Sequence, residues 1–109
     1  MRSSLGKPTK KEKERIDRFS VVGCVACRST LGVYNSQYDI HHIIRGNRRV
    51  GHWFTIPLCP QHHRNIYDRD GEWTSIAHGS KAFERIHGSE ESLWEKTQYL
   101  LGLPREMKA

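Results

Sequence analysis

The sequence predicts a small α+β domain: a strand–loop–strand–helix unit stapled by a metal ion and followed by further helices. Three observations predict it. The chain has 109 residues with a hydrophobic fraction of 36%, enough for one modest core, and so small a core usually needs a disulfide or a structural metal. The three cysteines are an odd number, and the opening MRSSLGKPTKKEKER has no apolar stretch after its charges. Export and a disulfide framework are therefore not expected, which leaves a reduced, cytoplasmic protein whose staple is a metal. The third observation is the pairing of Cys24 with Cys27 and of Cys59 with His62, each at two-residue spacing. No apolar run approaches the roughly 18 residues that span a bilayer, so no membrane partner is expected.

Residues 1–14 read as a basic flexible arm, clearest over 1–11 with Gly6, Pro8 and many lysines. Residues 15–109 read as a single domain. KEKERIDRF, from Lys11 to Phe19, has the pattern of one or two helical turns with Ile16 and Phe19 facing the core. Gly23, Gly32 and the first cysteine pair suit a tight turn or knuckle. Tyr38 to Ile44 is a β-prone run ending near two histidines, and Arg45 to Gly51 is a basic, glycine-bearing loop. Phe54 to Leu58 is a second β-prone run. Pro60 suits the first position of a helix, expected from Pro60 to Asp68.

A helical extension begins at about residue 80. Ser80 is the expected cap of a helix running through Ile86 and closed by Gly88. Ser89 caps the next, with Glu90 and Glu91 favourably placed in its first turn. Its apolar stripe is Leu93, Thr97, Leu100 and Leu101, before Gly102 and Pro104 end it. These two helices read as packing elements, since the second lacks the basic, polar face of a DNA-reading helix. Trp53, Trp73 and Trp94 read as core anchors, with base stacking by Trp53 beside the basic loop as the other use of that ring.

Cys24, Cys27, Cys59 and His62 form a candidate structural zinc site. Two tight turns aim four ligands at one ion, and three sulfurs with one nitrogen make a closed tetrahedral site. His63 is adjacent to His62 and is the alternative ligand. Six of the seven histidines remain after His62. His41 and His42 point to opposite strand faces, so they divide their labour. His63 lies about 100° round the helix from His62 and faces the strands. His52 serves equally well as a loop hydrogen bond or as a catalytic auxiliary. His78 reads as a solvated loop histidine, and His87 as a favourable contact at a helix end.

The formal net charge is +6, with a pI near 9.5, and residues 1–18 hold seven basic and three acidic side chains. That balance favours an anionic partner, nucleic acid above all. Lys10 and Lys11 in the arm, Arg45, Arg48 and Arg49 in the loop, and Arg64 are the candidate DNA contacts. Phosphodiester hydrolysis needs a base for water's proton and neutralisation of charge at phosphate and leaving oxygen. A neutral imidazole suits the first. A Mg²⁺ or Mn²⁺ ion suits the second, with an arginine of the 45–49 loop or Arg64 adding to it.

The set Cys24-x-x-Cys27, Asp39-Ile40-His41-His42-Ile43 and Ile56-Pro57-Leu58-Cys59-Pro60-Gln61-His62-His63 resembles the HNH, or ββα-metal, nuclease superfamily in its zinc-stapled form. Within it the chain looks most like the phage recombination-enhancement (Ref-like) nucleases, through Arg45-Gly46-x-Arg48-Arg49-Val50-Gly51-His52 and Gly79-Ser80-Lys81-x-Phe83. The resemblance covers about residues 20–103. It implies a ββα-metal core, His42 as general base, and His41 and His63 as ligands of a catalytic Mg²⁺ or Mn²⁺. It also implies the zinc quartet above, products with a 5′-phosphate and a 3′-hydroxyl, and DNA cleavage on RecA-type recombinase filaments. Two positions depart from the pattern. The middle Asn is replaced by Phe54 or Thr55, with His52 or Asn47 as substitutes, and the position one turn after His63 is Tyr67. Those departures support a competing expectation, a catalytically inactive zinc-stapled DNA-binding module. A third is a zinc knuckle for RNA or a protein partner.

Overall fold

The computed structural model describes residues 6–45, 48–64, 75–77 and 79–105, with Arg48 described by its backbone alone. Asn47, Tyr67, Trp73 and His78 lie outside the described residues.

Thr9 opens the first helix, α1 (Lys10–Asp17). Its hydroxyl accepts from the Glu12 N–H at 3.2 Å, and the Glu12 carboxylate accepts from the Thr9 N–H at 2.8 Å. This reciprocal capping box satisfies two helix-end donors and carries regular structure back into the segment expected to be a flexible arm. Helix α2 (Phe19–Val22) follows, with Phe19 and Val22 buried. Ile16 packs on the core only at its margin, and Arg15 goes inside instead. The Arg15 guanidinium donates to Gln98 Oε1 at 2.6 Å and Thr55 Oγ1 at 2.9 Å. It also lies 5.2–5.8 Å from the ring centres of Phe19, Trp53 and Trp94. Burial lowers its pKa to about 10, so it remains a cation among aromatic faces.

Gly23 takes φ +68°, and a Cβ there would sit 2.5 Å from the Asn35 carbonyl oxygen. That oxygen accepts from the Cys24 N–H at 3.0 Å. Glycine therefore lets two backbone stretches close around the first cysteine. The knuckle continues as a π-helical turn, Cys27–Leu31.

Strand β1 (Asp39–His42) pairs antiparallel with β4 (Thr55–Leu58), placing His41 opposite Ile56 and His42 opposite Thr55. Between them, β2 (Ile44–Arg45) pairs with β3 (Arg48–Arg49) as the arm of the same hairpin. Ile43 links the two ladders, donating to the Phe54 carbonyl and accepting from the Val50 N–H. Helix α3 (Pro60–His63) follows directly, with Cys59 as N-cap and Pro60 at its first position. It stops at Arg64 instead of running to Asp68. The reason is in its carbonyls: those of His62 and His63 accept from the Ile76 and Ala77 N–H groups, the bonds a longer helix would need for its own next turn.

Helix α4 (Ser80–His87) starts one residue earlier than expected. The Gly79 carbonyl accepts from the Phe83 N–H at 3.0 Å, making Gly79 the N-cap and Ser80 the first helical residue. Helix α5 (Glu90–Leu101) is capped by the Ser89 hydroxyl and ends at Gly102, φ +70°. Its buried face is Leu93, Trp94, Thr97, Gln98 and Leu101, packed on α2 and β4. Leu100 is only partly covered, while Trp94 is fully buried and donates to the Trp53 carbonyl. Among the described residues no helix is long and apolar enough to cross a membrane.

Candidate metal centre and histidine cleft

Cys24, Cys27, Cys59 and His62 are buried together, with donor atoms within 4.8 Å of one another. His62 Nδ1 lies 3.4 Å from Cys24 Sγ, 3.5 Å from Cys27 Sγ and 3.3 Å from Cys59 Sγ. Cys27 and Cys59 Sγ are 3.8 Å apart. A tetrahedron with zinc–sulfur bonds of about 2.3 Å has sulfur–sulfur edges of about 3.8 Å. The Cys27–Cys59 edge and the three nitrogen–sulfur distances therefore suit a zinc ion, and thiolates with imidazole are donors that ion prefers. His62, not His63, completes the set.

Hydrogen bonds from Cys24 and Cys27 hold the Cys59 thiol far below its ordinary range. Hydrogen bonds with Cys27 and Cys59, and then burial, push Cys24 far up. A divalent cation would take all three sulfurs as thiolates. The Asn35 amide donates to Cys27 Sγ at 3.6 Å. His87 is buried against this centre, not merely set at a helix end. Its ring is 4.5 Å from that of His62, and its Nδ1 is 2.6 Å from Thr30 Oγ1.

On the other side of α3 is an open cleft of about 530 Å³, lined among others by His41, His42, Arg49, His63 and Glu90. Strand alternation separates the neighbouring histidines. The His41 ring meets His63 at 5.2 Å, and the His42 ring meets His52 at 5.1 Å. His41 Nε2 is 2.6 Å from Glu90 Oε2, and His63 Nδ1 is 2.9 Å from Asp39 Oδ2. Asp39 also accepts from Arg64 Nε at 2.7 Å. Arg64, and secondarily His63, hold its carboxyl below the usual carboxylate range. In a neutral His63 ring that donates through Nδ1, the lone pair is on Nε2. His42 is held down to about 4, first by burial and then by Arg49, His52 and His41. At neutral pH it is therefore uncharged.

Two of these carboxylates escaped the sequence reading. Asp39 is two residues before His41 on one strand, and that i, i+2 spacing was the available signal for a shared face. Glu90 lies 49 residues from its partner His41, and in sequence it is only an acid in a helix's first turn. Of the candidate DNA contacts, Arg49 lines the cleft. Arg64 sits at its edge on Asp39, and Arg45 pairs with Glu91 at 2.7 Å. Lys10 and Lys11 are exposed on α1. Lys11 borders a different cavity, of about 630 Å³, with Arg15, Arg18 and Trp53.

A family model described as recombination enhancement, RecA-dependent nuclease matches residues 8–102. The chain belongs to that family. The match takes in both centres, the hairpin and all five helices up to the end of α5, so the fold described above is that of a recombination-enhancement nuclease domain. No curated protein matches the chain.

Proposed function

We propose that this recombination-enhancement nuclease is an HNH-type endonuclease that hydrolyses DNA phosphodiester bonds in the histidine cleft, with the Cys3His cluster as a structural zinc site. What carries the reading is the approach of His41 and His63, 5.2 Å between ring centres, each held by a carboxylate, beside an uncharged His42. A carboxylate oxygen with open positions for water suits Mg²⁺ or Mn²⁺, and the two imidazole nitrogens are the softer part of the donor set. His41, His63 and Glu90 are the residues that would hold the ion, with Asp39 orienting the His63 ring. When bound, such an ion supplies charge neutralisation at the phosphate and at the leaving oxygen.

The chain's own residues supply the rest. His42 accepts a proton from water as its oxygen attacks phosphorus. The bond from phosphorus to the 3′ oxygen then breaks, and that oxygen takes a proton from solvent. The products carry a 5′-phosphate and a 3′-hydroxyl. Arg49, at the cleft wall, meets the phosphate charge. Arg45, Arg48, Arg64, Lys10 and Lys11 grip the backbone without reading bases. The RecA dependence in the family's description supports DNA carrying a RecA-type filament as the cleavage substrate.

The test incubates supercoiled plasmid and single-stranded DNA with Mg²⁺ or Mn²⁺, with and without a recombinase filament. Wild-type protein is expected to cleave, and His42→Ala to lose about 10²–10⁴-fold in rate while keeping its zinc and fold. Equal cleavage by the variant overturns the base assignment. Binding without cleavage under every condition supports the inactive DNA-binding module instead.

A further inference from the structure

Behind His42 runs a second line of hydrogen bonds. His42 Nε2 lies 3.0 Å from His52 Nδ1, and His52 Nε2 lies 2.9 Å from the carbonyl oxygen of Gly6. A carbonyl only accepts, so His52 carries its proton on Nε2. In the neutral ring, His52 Nδ1 is then an acceptor, and His42 must donate to it through Nε2. The lone pair of His42 is left on Nδ1. We propose that His52 is a positioning residue: it relays the Gly6 carbonyl to His42 and fixes the tautomer in which Nδ1 receives the proton of the attacking water.

The framework around His52 supports such a role. Thr55 stands opposite His42 in the sheet, and its hydroxyl donates to the His52 carbonyl at 2.9 Å. The same hydroxyl accepts from the buried Arg15 guanidinium. The turn carrying His52 is thus tied to the strand pair and to the core. At the far end, Gly6 lies three residues ahead of Thr9, the cap of α1, so its carbonyl is brought to His52 from just before that helix. Orientation of an imidazole through its second nitrogen is how nucleophile-activating histidines are generally held ready.

The catalytic half of this proposal rests on the nuclease reading; the tautomer does not, and it is measured separately. In protein carrying ¹⁵N in its histidine rings, two-bond proton–nitrogen correlations at pH 8 report which ring nitrogen is protonated. Wild type is expected to show His42 protonated on Nε2. His52→Gln should preserve that state, because a glutamine amide accepts through Oε1 and donates through Nε2. His52→Ala should leave His42 a mixture of tautomers, and removal of residues 1–7 should shift it the same way. In cleavage, His52→Ala should lose about 10–100-fold in kcat with little change in KM, and His52→Gln should restore most of it. A wild-type His42 protonated on Nδ1 overturns the relay, as does an unchanged tautomer in His52→Ala. An unchanged spectrum after removal of residues 1–7 overturns the part assigned to Gly6. If the wild type cleaves no DNA, the nuclease reading fails while the spectra still decide the relay.

Discussion

His62 and His63 are consecutive on one helical turn, yet their rings belong to different environments. His62 is fully buried among three sulfurs, whereas the His63 side chain is 25% exposed at the rim of a cleft. The first centre is closed: its four donors face one another, and what remains at its border is packing by His87 and an amide from Asn35. The second is open, its imidazoles steadied by carboxylates. Closed sulfur-rich sites contribute stability, whereas sites with open positions do chemistry. On the function proposed above, a four-residue helix links a fold-holding centre to a reactive one, and the separation between them is one residue's rotation.

The sharpest way to break this contrast is to remove a sulfur. Cys59→Ser is expected to abolish stoichiometric zinc, about one ion per chain by metal analysis, and with it the cooperative fold seen by circular dichroism. Structural zinc sites are worth on the order of 10 kcal/mol of binding energy, comparable to the whole stability of a domain this size. A folded, zinc-free variant would show that the cluster is not what holds α3.

His63→Ala acts on the neighbouring side chain and should do the opposite. Zinc and fold should persist, while Mn²⁺ affinity measured by titration calorimetry falls by about 10–100-fold and cleavage falls with it. Loss of zinc in that variant would merge the two centres into one. Asp39→Asn is expected to be milder, about tenfold in Mn²⁺ affinity, because Asp39 orients His63 instead of holding the ion itself. The smallest effect belongs to Arg49→Gln. Its binding to DNA should weaken uniformly across sequences, and the slope of log affinity against log salt should become shallower by about 1.

Legibility from sequence followed the range of each interaction. The cysteine pairs are local, so their spacing announced a staple, and Cys59 as N-cap with Pro60 behind it placed the helix start. The hairpin was also readable, because β-prone runs flank a basic loop. Asp39 and Glu90 were not read as partners of histidines, since each earns its role only when distant segments meet. Arg15 was not singled out for a related reason: within KEKERIDRF it is one basic residue among several, and two of the three aromatic rings that accompany its burial come from elsewhere. The early end of α3 depended on residues 76 and 77 returning to its carbonyls, which no helix signal in residues 60–68 encodes.

The two termini of the described chain are stitched side to side. Arg15 reaches Gln98 at 2.6 Å and Arg18 reaches the Leu101 carbonyl at 2.7 Å, each across 83 positions of sequence. Arg15 also reaches Thr55 of β4 at 2.9 Å, so the same side chain ties both ends to the hairpin. The core is thereby clasped at its margins, and opening the domain means breaking contacts that join its first helices to its last.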